Sequence, residues 1–594
     1  MIWSFGSRYV SENEAEFKVW HPFDRDIELK LLTSKRTVPL EQEDNGILAA
    51  TARVARNELY MYRVGNSLFP DPASHYQPDG VHGPSMVVDH SSYSWRNEGW
   101  KGRPMDEYIL YELHVGTFGE KGTYMDVLPK IDHIRNLGIT AVELMPISQF
   151  PGRRNWGYDG VQLYSPQNSY GETGDLKRLV DTFHGAGIDV VLDVVYNHVG
   201  PEGNYLPIFG PYFTKKYSTP WGKAINYDDS YSDMVRKFIV ENALYWLSEF
   251  RFDGLRLDAI HGIYDFSPRH ILEEIEDAAE GLSQETGRNV NIIAESDLND
   301  PVLVQSKERC GFGLAGQWND DYHHAIHAFL TGERNGYYSD FGRFGQITRS
   351  LKNGFVYDGV YSEYRKRTRG APLMAVPLNR LVVYSQNHDQ VGNRAGADRL
   401  TSLVAVEKVK AAASLAVLSP FTPLIFMGEE YGENAPFNYF IDTGDRKLAR
   451  AVREGRSREF MNFGMKYDLD PNNPEMFEQS KLKWGRMDTK SGKAMFNFYR
   501  DLASVRKTIG KRRMALHSVS SPAENLIRIS YGKDEKLDVF ISLSNGKISL
   551  EGIVPQGSKV LFRSGWRDYG GTLEPSGQTA VEIEPFESIV SSPP

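Results

Sequence analysis

The stretch FDGLRLDAIH, Phe252 to His261, decides how this chain is read. GLRLD has the length and apolar content of a short buried strand, and the residues after it run out into a loop. Residues two apart in a strand share a face. Leu255 and Leu257 therefore point one way, and Arg256 and Asp258 the other. An arginine beside an aspartate on the inward face of a buried strand is costly unless the pair serves something. Two readings stay open at this point: a structural ion pair, or a catalytic carboxylate kept ionised by its arginine.

Outward from this strand the pattern repeats. YILYELHV, ITAVELMP, IDVVLDVVYNH, the opening stretch, NVNIIAES, a weaker AGQWND, RLVVYSQNH and PLIFMG make eight strand candidates between Tyr108 and Gly428. Helical patterns lie between them. One sets Val127, Ile131 and Ile134 on one face and ends at Gly138. Another carries Leu176, Leu179, Val180 and Phe183, and a third Val235, Phe238, Ile239 and Trp246. Near-continuous apolar runs are what parallel strands covered on both faces require. The economical fold is α/β, a (β/α)8 TIM barrel.

The flanks differ. Residues 1–95 hold AEFKVW, DIELKLL, ILAATARV and YMYRV between turn clusters, which predicts an N-terminal β-sandwich. Residues 96–510 form the barrel, with rim excursions at 146–171 and 197–233. The charged, irregular segment 432–484 reads as a long loop after the last strand. LIRISYG, LDVFISLS, SKVLFRS and VEIEPFESIVSS predict a C-terminal β domain over 511–594.

Composition excludes some partners. The chain has 594 residues, a net charge of −10 and no basic tract, which argues against nucleic-acid or anionic-membrane binding. Ala411 to Gly428 carries no charge, but Pro420 and Pro423 divide it, so a buried helix, a turn and a buried strand explain it better than a membrane span. MIWSFGSRYV lacks a basic region followed by an apolar core, so no secretory signal is expected. Cys310 is the sole cysteine. It suits a reducing cytoplasm, and it could still join two chains as a homodimer.

Polar residues cluster at the predicted strand ends. The third strand leads to Asp193, Asn197 and His198, and the fourth to Arg256, Asp258 and His261. The fifth ends in Glu295, and the seventh in Asn387, His388 and Asp389. A barrel gathers its strand ends at one mouth. Three carboxylates there suit glycoside hydrolysis, which needs a neutral acid and an ionised nucleophile. His198 and His388 would donate to sugar hydroxyls while mostly neutral near pH 7. Each residue alone has a plainer reading, as a rim tie, a core histidine or a helix cap. A metal site is the main competitor, but no tight ligand pair is present and Arg256 opposes a cation, so neither metal nor cofactor is expected.

DVVYNH, GLRLDAIH, IIAES and QNHD, in this order, resemble the four signature regions of the α-amylase family, glycoside hydrolase family 13. The resemblance implies that Asp258 is the nucleophile, Glu295 the general acid/base and Asp389 the transition-state stabiliser. It implies substrate-orienting roles for His198, Arg256 and His388, a stacking role for Tyr158 in WGYDG, and a structural role for Asp193. Trp221, Trp156 and Trp318 are candidate sugar platforms, and His261 a further substrate-binding candidate. The blocks YELHVGTF, WGYDGVQLYSPQNSYG, TPWGKAINYD, QWNDDYHHAIHAFLTGE and FMGEEYGE resemble the subgroup that acts on maltooligosyltrehalose and frees trehalose. That implies a retaining hydrolase with nucleophile and acid carboxyls about 5–5.5 Å apart. Glycogen branching and isoamylase-type debranching enzymes are the rivals within the family. A carbohydrate-binding protein without activity is the rival outside it.

Overall fold

The computed structural model describes residues 3–23, 26–462, 464–510, 516–533 and 536–594. Its centre is a closed barrel of eight parallel strands in sequential order. They are β1 (Leu110–Leu113), β2 (Ala141–Leu144), β3 (Asp189–Val194), β4 (Gly254–Leu257), β5 (Asn291–Ala294), β6 (Gly316–Trp318), β7 (Leu381–Tyr384) and β8 (Thr422–Phe426). β8 pairs with β1 and closes the ring. The weak sixth run is indeed the shortest strand, three residues long.

Side-chain alternation sorts the strands into two apolar clusters. Leu110, Ala141, Val191, Ile293, Val382 and Leu424 pack together inside the barrel. Leu255 and Leu257 belong to the larger cluster shared with the helices. Arg256 therefore lies with the interior set, in register with Asp193 on β3. Glu112 and Glu143, also in register, are its counterparts on β1 and β2. The inner face of four neighbouring strands thus carries charge, which is costly unless the groups are paired.

The helices follow their apolar faces. α1 (Ile131–Leu137) stops where Gly138 takes a left-handed φ of 93°. α2 (Thr173–Gly185) opens with a reciprocal cap between Glu172 and Asp175 and buries Leu176, Leu179, Val180 and Phe183. α3 (Ser232–Glu249), α4 (Ile271–Thr286), α5 (Asp320–Thr331) and α6 (Val406–Val417) cover further strands. Ala411–Gly428 divides into the end of α6, a turn and β8. Among the described residues no helix is long and apolar enough to cross a membrane.

The segment 432–484 departs from the expected loop. It contains α7, Arg446–Asn462, a helix of 17 residues. α8 (Lys490–Gly510) then leads to the C-terminal sheet. That sheet has five strands between Leu516 and Ser592. Before the barrel, two antiparallel sheets pack Phe17 of one against Tyr60 of the other, ring centres 4.9 Å apart. Trp20 and Phe5 carry this sandwich onto the barrel, against Tyr212 and against Phe238 on α3.

Candidate active site

A cavity of about 620 Å³ opens where the barrel strands end, and Asp258, Glu295 and Asp389 all line it. The strand-to-loop turn after β4 makes the first link. The Asp258 amide still donates to the Val194 carbonyl, 3.0 Å, and so ends the β3–β4 ladder. Ala259 then turns into the left-handed region at φ 37°, a strained position for an alanine. Its amide points to Glu295 and donates to Oε2 at 2.6 Å. One strained residue thus ties the ends of β4 and β5 beside both carboxylates.

Arg256 is wholly buried, and one nitrogen serves two acids. Nη1 donates to Asp193 Oδ2 at 2.7 Å and to Asp258 Oδ1 at 2.8 Å. The guanidinium lies over the Trp318 ring, 4.2 Å from its centre. Asn197 Nδ2 donates to the other oxygen of Asp258 at 3.2 Å. Burial pushes the Glu295 carboxyl well above the usual range, aided by the negative Asp258, Asp320 and Asp389 and opposed by Arg256. Burial likewise lifts Asp193 to about 7, against Arg256. The site therefore favours the protonated form of one carboxyl and keeps another in contact with an arginine, the division of labour that acid and nucleophile need.

His388 departs from the neutral state expected of it. Its Nδ1 faces Glu112 Oε1 at 2.5 Å, and its backbone amide donates to Glu112 Oε2 at 3.0 Å. Nε2 faces the Tyr158 hydroxyl at 2.7 Å, and that hydroxyl donates to Asp193 Oδ2 at 2.7 Å. Both ring nitrogens therefore donate, which requires the imidazolium. Burial opposes that charge, but Asp389 and Glu112 outweigh it and raise the group to about 9. His198 is different: burial pulls it below the usual histidine value. Its nitrogens face Asn197 Oδ1 at 2.6 Å and the Tyr158 carbonyl at 3.0 Å, so a neutral ring serves one of them at a time.

The aromatic candidates separate. Trp221 is 44% exposed and stacks on His198, centres 5.4 Å apart and planes 15° apart. His261 lines the cavity beside it, 6.0 Å from the Trp221 ring. Trp318 is buried under Arg256, so it is a packing residue and not a rim platform. Trp156 is also buried, stacked on Phe437 at 5.2 Å and edge-on to His388 at 5.5 Å. Asp389 is the freest of the three acids, with 38% of its side chain exposed and Oδ1 accepting from Asn393 at 3.2 Å.

A model described as alpha amylase, catalytic domain, matches residues 89–218 and 223–511. Malto-oligosyltrehalose trehalohydrolase of Saccharolobus solfataricus is 48% identical over 509 residues, covering 85% of this chain and 87% of that one. The protein of the same name from Arthrobacter ramosus is 40% identical over 552 residues, covering 92% and 95%. The chain belongs to the malto-oligosyltrehalose trehalohydrolases of the α-amylase family. It is a glycosidase on a TIM barrel. A solved Salmonella typhimurium structure described as an alpha amylase matches at 37% identity and a TM-score of 0.89 over the full length of both chains.

The candidate site of this trehalohydrolase also includes residues that sequence reasoning passed over. Glu112 was readable by the alternation that exposed Arg256, since it is a charge inside YILYELHV. Asp320 lines the cavity, accepts from Tyr384 and is lifted to about 6 by burial. Asp297 is clamped by Arg365 at 2.8 Å and Arg369 at 2.6 Å. α7 supplies Val452, Gly455, Arg456 and Glu459 to the cavity wall. Among the described residues no His, Cys, Asp and Glu group is arranged to hold a metal. Cys310 is an exposed free thiol after a short 3-10 turn. A single exposed sulfur is half of a disulfide, and the expected dimer gains no support from it.

Proposed function

We propose that Asp258, Glu295 and Asp389 hydrolyse the α-1,4 bond next to the terminal trehalose of maltooligosyltrehalose, with retention, and so release trehalose. The carrying observation is the pairing at the cavity floor: Arg256 bonds Asp258 at 2.8 Å while burial favours the protonated form of Glu295. Asp258 attacks the anomeric carbon and forms a glycosyl-enzyme as Glu295 gives its proton to the departing oxygen. Glu295, now ionised, takes a proton from the incoming water, which cleaves the ester and restores Asp258. Asp389 faces the sugar hydroxyls and stabilises the positive transition state. The His388 imidazolium keeps Asp389 and Tyr158 in place, at 3.5 and 2.7 Å. Tyr158, His198, Trp221 and His261 bound the sugar ring. The exposed, unpaired Cys310 fits a cytoplasmic protein.

Incubation with maltotriosyltrehalose should yield trehalose and maltotriose, the new reducing end first appearing as the α anomer by NMR. A β anomer, or branched amylose in place of trehalose, overturns the reading. Asp258→Ala should lower turnover on the order of 10⁴-fold or more with cooperative unfolding preserved. Wild-type activity in that variant would move the nucleophile elsewhere.

A further inference from the structure

α7 reaches the cavity through Val452, Gly455, Arg456 and Glu459, the i, i+3, i+4, i+7 spacing of one helix face. Gly455 sits in the middle of that face and ten residues into a 17-residue helix. Glycine weakens a helix interior relative to alanine, so it needs a reason. Backbone conformation supplies none, because Gly455 is absent from the glycines with positive φ. Packing supplies none either: a Cβ built there meets no atom within 4 Å. Gly392, nearby in the same site, is the opposite case, since its Cβ would strike Trp156 at 2.1 Å. What Gly455 faces is the cavity.

The helix face is fixed relative to the proposed chemistry. Arg456 Nη1 donates to Asn393 Oδ1 at 2.7 Å and Nη2 to the Gly392 carbonyl at 3.0 Å. Asn393 in turn donates to Asp389 at 3.2 Å. The Arg456 guanidinium also lies over Tyr439, 4.7 Å from the ring centre. A bare stretch of helix backbone is thus held at a set position beside Asp389, flanked by a guanidinium and a carboxylate.

We infer that Gly455 is a specificity-determining residue: its missing side chain lets one glucosyl unit of the substrate lie against α7, with Arg456 and Glu459 facing that unit's hydroxyls. The class of substrate rests on the function proposed above, whereas the open space at Gly455 does not. The test compares Gly455→Ala and Gly455→Leu in the full chain, by thermal unfolding and by initial rates on maltotriosyltrehalose. Both substitutions favour the helix, so Tm should stay at or above wild type. KM should rise, severalfold for Ala and about tenfold or more for Leu, with kcat moved less, because added carbon fills room the sugar needs. Wild-type KM in both variants overturns the inference. Should Gly455→Leu fail to fold, Gly455→Ala decides it. Should the wild type release no trehalose, the proposed function falls, and the same KM comparison on the maltooligosaccharide it does cleave still judges Gly455.

Discussion

Glu112 grips His388 from both sides, by ring and by backbone, and so fixes the charge beside Asp389. Around that imidazolium stand Glu112 on β1, Asp193 on β3, Arg256 on β4 and Asp389 from its own short helical turn. Glu143 on β2 and His114 after β1 are also near enough to feel it. A free histidine titrates near 6.5, whereas this one titrates at about 9 when folded. Folding binds its proton more tightly, a stabilisation fully present below about pH 6.5 and lost as pH rises through about 9. Glu112→Gln removes a negative partner and should lower the pKa of His388 by about one pH unit or more. NMR titration of the imidazole checks it, and an unmoved pKa would mean that Glu112 only packs. The convergence of Asp258, Glu295 and Asp389 on one cavity was legible because their motifs are local. The state of His388 was not, because its deciding partner lies 276 positions earlier in the chain.

At the scale of elements, β4 separates stability from chemistry by side-chain parity. Leu255 belongs to the core shared with the helices and is fully buried. Leu255→Ala should cost about 2–5 kcal/mol in chemical denaturation while the folded fraction keeps wild-type kcat. Arg256→Lys should lower kcat in the folded fraction, measured by initial rates, because a lysine loses the guanidinium plane laid over Trp318 that sets the shared nitrogen between Asp193 and Asp258. The barrel strands were legible for the same reason: burial on both faces leaves long apolar runs. α7 was not. RKLARAVREGRSREF carries few apolar residues among many charges, and one face of the helix borders a cavity instead of a core, so the stretch reads as charged surface. Its sequence signature is a mid-helix glycine, which reads as a loop until the helix is seen.

For the whole molecule, Lys410 on α6 fastens the C-terminal sheet to the barrel. Its buried ammonium donates to the carbonyls of Tyr569 at 2.6 Å and Ser564 at 3.2 Å. Tyr531 adds a bond to the Leu418 carbonyl at 2.8 Å. Lys410→Met leaves two buried acceptors unserved and should destabilise by about 1–3 kcal/mol, visible in calorimetry, with kcat unchanged in the folded protein. Identical transitions for variant and wild type would show that the sheet is held by its apolar contacts alone. The hydrogen-bonded path from Glu112 through His388, Tyr158, Asp193 and Arg256 to Asp258 joins β1, β7, β3 and β4. On the ribosome those strands emerge in a different order from the path. At ordinary elongation rates Glu112 is made roughly 15–55 s before His388 exists. During that interval β1 also lacks β8 on one side, so a buried carboxylate and an open sheet edge wait together for the last quarter of the barrel. The nascent chain cannot close its barrel until β8, residues 422–426 of 594, has been made, and the same wait leaves β1 in need of shielding.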